Sequence, residues 1–184
     1  MRRTTRAWGV VLLAACGGGE AVPQADSLVP EASVVEAPLP TSVAEIAPGD
    51  TGAIVGLMRR TMSAGDDALG SLERRDTTLA LAAGEAPRQL TLWLDGGLPF
   101  KLAVTEPTET GALLAETAVW FVNGEVRVVQ EPFAAFLFEA DRLVLWTDET
   151  LVPIDGPEAE KATRAAAVLD SVRARLGVFG VGYP

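Results

Sequence analysis

Three segments between residues 88 and 147 share one pattern: an apolar run, two residues suited to a tight turn, and a second apolar run. Leu92-Trp93-Leu94-Asp95-Gly96 is followed by Gly97-Leu98-Pro99-Phe100, and Trp120-Phe121-Val122-Asn123-Gly124 by Glu125-Val126-Arg127-Val128. Asp-Gly and Asn-Gly favour a type I′ turn, whose two central residues both need positive φ, so each segment predicts a hairpin. Phe136-Leu137-Phe138-Glu139 and Arg142-Leu143-Val144-Leu145 predict a third, turning at Ala140-Asp141 with poorer turn chemistry. Aligned on their turns, the units place Trp93, Phe121 and Phe138 at one position and Leu98, Val126 and Leu143 across from them. Two-residue turns then pair Phe121 with Val126, Val119 with Val128 and Glu139 with Arg142. They also pair Trp120 with Arg127 on the opposite face.

Outside this region the period lengthens. Ile54, Val55, Met58 and Met62 recur at helical spacing behind Asp50, a good N-cap residue, and predict a first helix. Gly65, Asp66 and Asp67 either end it or begin a short second helix carrying Leu69 and Leu72. Arg59-Arg60 and Arg74-Arg75 are expected on its solvated side. Near the C-terminus Ala162, Ala165, Leu169, Val172 and Leu176 form an apolar stripe. Asp155 and Glu158 have capping-box spacing, Pro157 suits the first turn, Arg173 and Arg175 favour the negative end of the dipole, and Gly177 offers a stop. The expected fold class is α+β: an antiparallel β-meander of about six strands, flanked by an N-terminal helical segment and a C-terminal amphipathic helix. This globular domain is expected to occupy residues 51–184.

The first residues follow a different logic. Arg2, Arg3 and Arg6 precede an apolar run over residues 7–15, too short to span a bilayer, and small residues follow. The run ends in Leu13-Ala14-Ala15-Cys16, which resembles the lipobox of bacterial lipoproteins. The resemblance implies that residues 1–15 are a cleaved signal peptide and that Cys16, the only cysteine, receives a diacylglyceryl group and usually an acylated amino terminus. It also implies a lipid-anchored, extracytoplasmic place in the cell envelope. Gly17 stands where enteric lipoproteins held in the inner membrane tend to carry aspartate, which favours the outer membrane if the cell has both. Residues 17–50 hold five prolines, six acids, no lysine or arginine and no aromatic residue. Such a composition cannot bury enough apolar surface to fold, so residues 16–50 are expected to be the lipidated cysteine and a disordered acidic tether. The tether would reach roughly 30 Å.

Chemistry is narrowed mainly by what the chain lacks. With no histidine and one cysteine, neither a Ser-His-Asp nor a Cys-His device can be built, and the usual zinc ligands are missing. No cofactor or metal site is expected: Asp148, Glu149 and Asp155 lack the spacing of a calcium loop and read as a solvated connection. A net charge of -10, becoming -13 once the three arginines are removed, argues against nucleic acid. Trp120 and Arg127 with Trp146 admit two readings: a helix must cover at least one face of the meander and these residues lie under it, or they form an exposed aromatic and cationic surface on the second face, suited to binding a sugar or an aromatic group. Trp93 reads as core.

The hairpin region also resembles the "aromatic-aromatic-Asp/Asn-Gly-x-Leu" hairpins of many bacterial envelope lipoproteins, with Trp93-Leu94 and Phe121-Val122 departing from the aromatic pair. The likeness implies a meander sheet and no activity. The function expected is a membrane-anchored, non-enzymatic binding module whose partner is an envelope protein, glycan or lipid. The competing readings are a small hydrolase working with carboxylates alone and a purely structural envelope lipoprotein.

Overall fold

The computed structural model describes residues 39–80, 87–107 and 114–183. The expected signal peptide, Cys16 and all but the last part of the expected tether lie outside the described residues. Within them the chain runs α1 (Thr51–Ala68), β1 (Glu73–Leu79), β2 (Arg88–Asp95), β3 (Leu98–Pro107), β4 (Leu114–Val122), β5 (Glu125–Glu131), β6 (Ala134–Glu139), β7 (Arg142–Asp148) and α2 (Glu158–Gly177). The seven strands form one antiparallel sheet in sequential order. The α+β meander is as expected, with seven strands in place of six.

The additional strand is β1, where Arg74-Arg75 had been expected on a helix. It lies at the sheet edge and is mostly exposed. It therefore has no apolar alternation to announce it, and its charges discourage pairing with another chain. Arg74 and Arg75 make ion pairs with Asp76 and Glu73 at 2.9 and 2.8 Å.

The three hairpins are built alike. Their turns fall at Gly96-Gly97, Asn123-Gly124 and Ala140-Asp141, all six residues at positive φ. Each then admits one extra residue on its second strand: Phe100, Arg127 or Val144. This bulge corrects the expected register. Phe121 faces Val126, Phe138 faces Leu143 and Glu139 faces Arg142, as expected, but Trp120 faces Val128 and Val119 faces Val129. In the first hairpin the turn lies one residue later than the Asp-Gly signal indicated. Leu94 therefore faces Pro99, Trp93 faces Lys101, and Leu98 is left 54% exposed near the turn.

The result is two adjacent rows of side chains, one on each face. On the first face Leu92, Leu102, Val119, Val129, Phe136 and Trp146 lie side by side across six strands. Helix α2 packs on this row through Ala165, Val168, Leu169, Val172 and Leu176. Burial of each large side chain contributes about 1.5–3 kcal/mol. On the second face the row reads Arg74, Trp93, Lys101, Trp120, Val128, Leu137 and Leu145. Helix α1 lies over part of it, with Met58 buried and Ile54 and Met62 partly buried against Trp120, Val128 and Leu137.

Helix ends refine the expectations. Asp50 caps α1 as anticipated, its carboxylate accepting the Ala53 N–H at 2.9 Å. The N-cap of α2 is Pro157, not Asp155, and makes no side-chain cap bond. Ala162 is exposed, so the buried stripe begins at Ala165. Beyond α2 the turn is closed by Gly180, at φ +69°, with the Val181 N–H reaching back to the Leu176 carbonyl at 3.2 Å. Gly177 is instead the last residue of the helix.

Folded structure also begins earlier than residue 51. A 3-10 turn, Val43–Glu45, precedes α1, and Val43 packs with the residues of the second face. Its N–H donates to Glu139 Oε1 at 3.3 Å, and Arg60 donates to the Pro40 carbonyl at 3.1 Å. A few apolar residues suffice here because the face they meet is already built.

Helix α1 fits closely against the sheet at Gly65, where a Cβ would stand 2.5 Å from Trp120 Cδ1. Gly65→Ala should destabilise the fold by about 1–3 kcal/mol through overpacking. At Gly56 a Cβ would meet only the end of the Arg60 side chain, at 3.2 Å. In Gly56→Ala a gain of up to about 1 kcal/mol in helix propensity is set against displacement of the Arg60 guanidinium that holds the Pro40 carbonyl, so the variant should lie close to the parent. Urea unfolding should move the midpoint clearly down for Gly65→Ala and little for Gly56→Ala.

Candidate functional site

Lys101 is a largely buried cation in the middle of the second-face row. Its aliphatic stem rises from β3 between Trp93 on β2 and Trp120 on β4 in the second-face row. Its ammonium lies 4.7 Å from the Trp120 ring centroid and 5.8 Å from that of Trp93. Arg74 approaches Trp93 from the next strand, at 5.7 Å. Cations and rings thus alternate across four strands, a favourable arrangement because the face of each ring carries negative potential. The Lys101 charge is answered by Asp66 at the end of α1, whose Oδ1 accepts from Lys101 Nζ at 2.7 Å and from Trp120 Nε1 at 2.8 Å.

The three residues proposed from sequence do not come together as a surface. Trp120 is buried beneath α1. Trp146 is on the other face, stacked on Phe136 with centroids 6.0 Å apart. Arg127 is the bulge residue of its hairpin and turns to the neighbouring β6, donating to Glu139 Oε1 at 3.3 Å and approaching the Phe138 carbonyl at 3.5 Å. The binding reading needed a bare second face and an unbroken alternation along β5, whereas the reading in which a helix covers these residues needed neither and describes Trp120. Helix α1 removes the first condition and the bulge removes the second. Lys101 and Asp66, which complete the aromatic row, gave no signal beyond lying near Trp93 or at a helix end.

Among the open depressions at the sheet margins, two lie beside β1 and beside α2. One, of about 340 Å³, is lined mainly by polar groups of β1 and β2, including Arg74, Asp76, Thr78, Gln89 and Thr91. There Asp76 accepts from Arg74 and, at 2.6 Å, from the Thr91 hydroxyl. The Arg74 bond first, and then that of Thr91, holds the Asp76 carboxyl below the usual aspartate range. The other, of about 410 Å³, lies between β7 and α2, floored by Leu143, Ala165 and Leu169 and edged by Arg142 and Lys161.

The acidic exit from β7 is a self-contained loop. Asp148 Oδ1 accepts from the Val152 N–H and from the N–H and hydroxyl of Thr150, at 2.8–2.9 Å. These bonds, that of Val152 foremost, lower its pKa.

Compared with family models, curated proteins and solved structures, the chain finds no match.

Tyr183 fastens the C-terminal segment to the turn end of the sheet. Its hydroxyl donates to Asp141 and accepts from the Val126 N–H, while Arg173 lies 5.1 Å from the ring centroid. Burial first, and the bond to Asp141 second, raises its pKa from 10.0 to about 12. Because the folded-state value is the higher one, this contact contributes stability that is complete below the unfolded pKa and is lost as pH rises through about 12. Tyr183 is the only tyrosine. An ultraviolet titration should therefore show a single phenolate step near pH 12. Tyr183→Phe should abolish the step, and Asp141→Ala should shift it downward.

Proposed function

We propose that this chain is a lipid-anchored extracytoplasmic module of the cell envelope that acts by binding and not by catalysis. The observation that carries the reading is the order arginines, short apolar run, small residues and sole cysteine over the first 16 residues. Each element has a physical role. The charges orient the segment, the apolar stretch engages the export machinery, and the small residues admit cleavage beside the thiol. Each buried acyl methylene contributes about 0.8 kcal/mol, so two or three chains anchor stably where one does not.

The non-enzymatic part is supported by a sequence with no histidine and only the cysteine assigned to the anchor. The fold is compatible with a scaffold: a helix lies on each face of the sheet, and the open depressions sit at its margins. The partner belongs to the envelope, as a protein, glycan or lipid.

Mass spectrometry of the membrane fraction should find a chain that starts at a lipid-modified Cys16. Cys16→Ser should move the protein to the soluble fraction. An unmodified Cys16 in a chain beginning at Met1 would overturn the anchor.

A further inference from the structure

The two helical layers are unequal. Helix α2 buries four large side chains and an alanine, whereas α1 buries Leu57, Met58 and Gly65. Helix α1 is also the weaker helix by sequence, with Gly52, Gly56 and Gly65 and the β-branched Thr51, Ile54, Val55 and Thr61. Helix α2 contains six alanines. Finally, α1 ends on Asp66 and Asp67 with no basic residue in its last turn, against the sign of the helix dipole.

What offsets this weakness is a cation from outside the helix. Lys101, held in the sheet between two tryptophans, supplies the positive charge that the end of α1 lacks. The carboxylate oxygen that receives it also receives the Trp120 N–H. The Asp66 side chain is 49% exposed, so the carboxylate of the pair meets solvent while Lys101 stays in the sheet.

The segment before α1 is bound to α1 as well as to the sheet. Arg60 holds the Pro40 carbonyl, while the Val43 N–H bond to Glu139 and the packing of Val43 tie the segment to the second face. After α1 the 3-10 turn Leu69–Ser71 leads into β1, and a Cβ at Gly70 would meet nothing within 4 Å. This turn has the room and the position of a hinge.

We propose that residues 39–68 form a lid that opens from the second face as one unit while the sheet and α2 stay folded, with Asp66 as the latch on Lys101 and Trp120. Opening uncovers Trp120, Val128, Leu137 and Leu145, a continuous apolar strip across four strands. Sub-global opening of this kind has its own free energy, below that of global unfolding.

Native-state hydrogen exchange of the full chain tests the lid. Amides of residues 58–62 in α1 should exchange at least on the order of 100-fold faster than those of residues 102–104, Val119 and Val172, as local opening requires. Asp66→Asn weakens two bonds to a charged acceptor and should speed α1 exchange on the order of 10-fold more, leaving α2 and the central strands unchanged. Lys101→Met, which keeps the stem between the rings, should act in the same direction. Equal rates for α1 and the central strands in the unaltered protein would overturn the proposal, whether or not the variants fold. Uniform acceleration of every element by Asp66→Asn would overturn it too, since α1 would then open only with the whole.

Discussion

The structure depends on one constraint, the parity of side chains along a strand. Successive residues point to opposite faces, so one extra residue sends every later position across the sheet. Each of the three hairpins places that residue at the same distance from its turn. In β5 the bulge lets Val126 and Val129 face α2 while Val128 faces α1. An unbroken strand would put Val126 and Val128 on one face and Arg127 opposite Trp120 beneath the helix. The repeated irregularity thus gives the sheet two apolar faces and sends the Arg127 charge to Glu139.

Much of this was legible in the residues. Asn123-Gly124 located its turn, and the pairing of Phe121 with Val126 followed from it. The Asp50 cap was readable from its residue type, and Met58 of α1 and Ala165, Leu169, Val172 and Leu176 of α2 from period, whereas Leu57 was missed and Ala162 proved exposed. In the second and third hairpins the register could not be read beyond the second residue pair, because the alternation of Val126, Val128 and Val129 fits either face, and in the first hairpin it was displaced from the start by the turn at Gly96-Gly97. Strand β1 was hidden for another reason: a charged edge strand buries little, so hydrophobic patterning has nothing to mark. At Ala140-Asp141 the turn is made despite its chemistry, with Ala140 at φ +47°. Left-handed geometry costs an ordinary residue about 1–2 kcal/mol, an amount the surrounding pairs of large side chains can overcome.

Residue type pointed to an aromatic and cationic row on the second face and left open whether a helix covers it. Tryptophan and cation do meet on the second face, but the cation is Lys101 and the meeting lies at the edge of a helix. Bracketing of the Trp93 indole by Arg74 and Lys101 occupies the surface on which a flat ligand would stack. The aromatic row is accordingly part of the fold's construction. What it offers chemically is a means of fixing a helix whose own sequence favours it weakly.

The direction from which the chain enters the fold has a mechanical consequence. Among the described residues, tension applied from the N-terminal side first meets the Arg60 bond to Pro40 and the Val43 bond to Glu139. Helix α1 follows, and its contacts with the sheet meet the load one after another, as in peeling, and not all together as in shear. Strand β1 is loaded only afterwards, and α2, at the other end of the chain, last. The layer that yields first is therefore the one whose removal leaves the hairpins and the larger core in place.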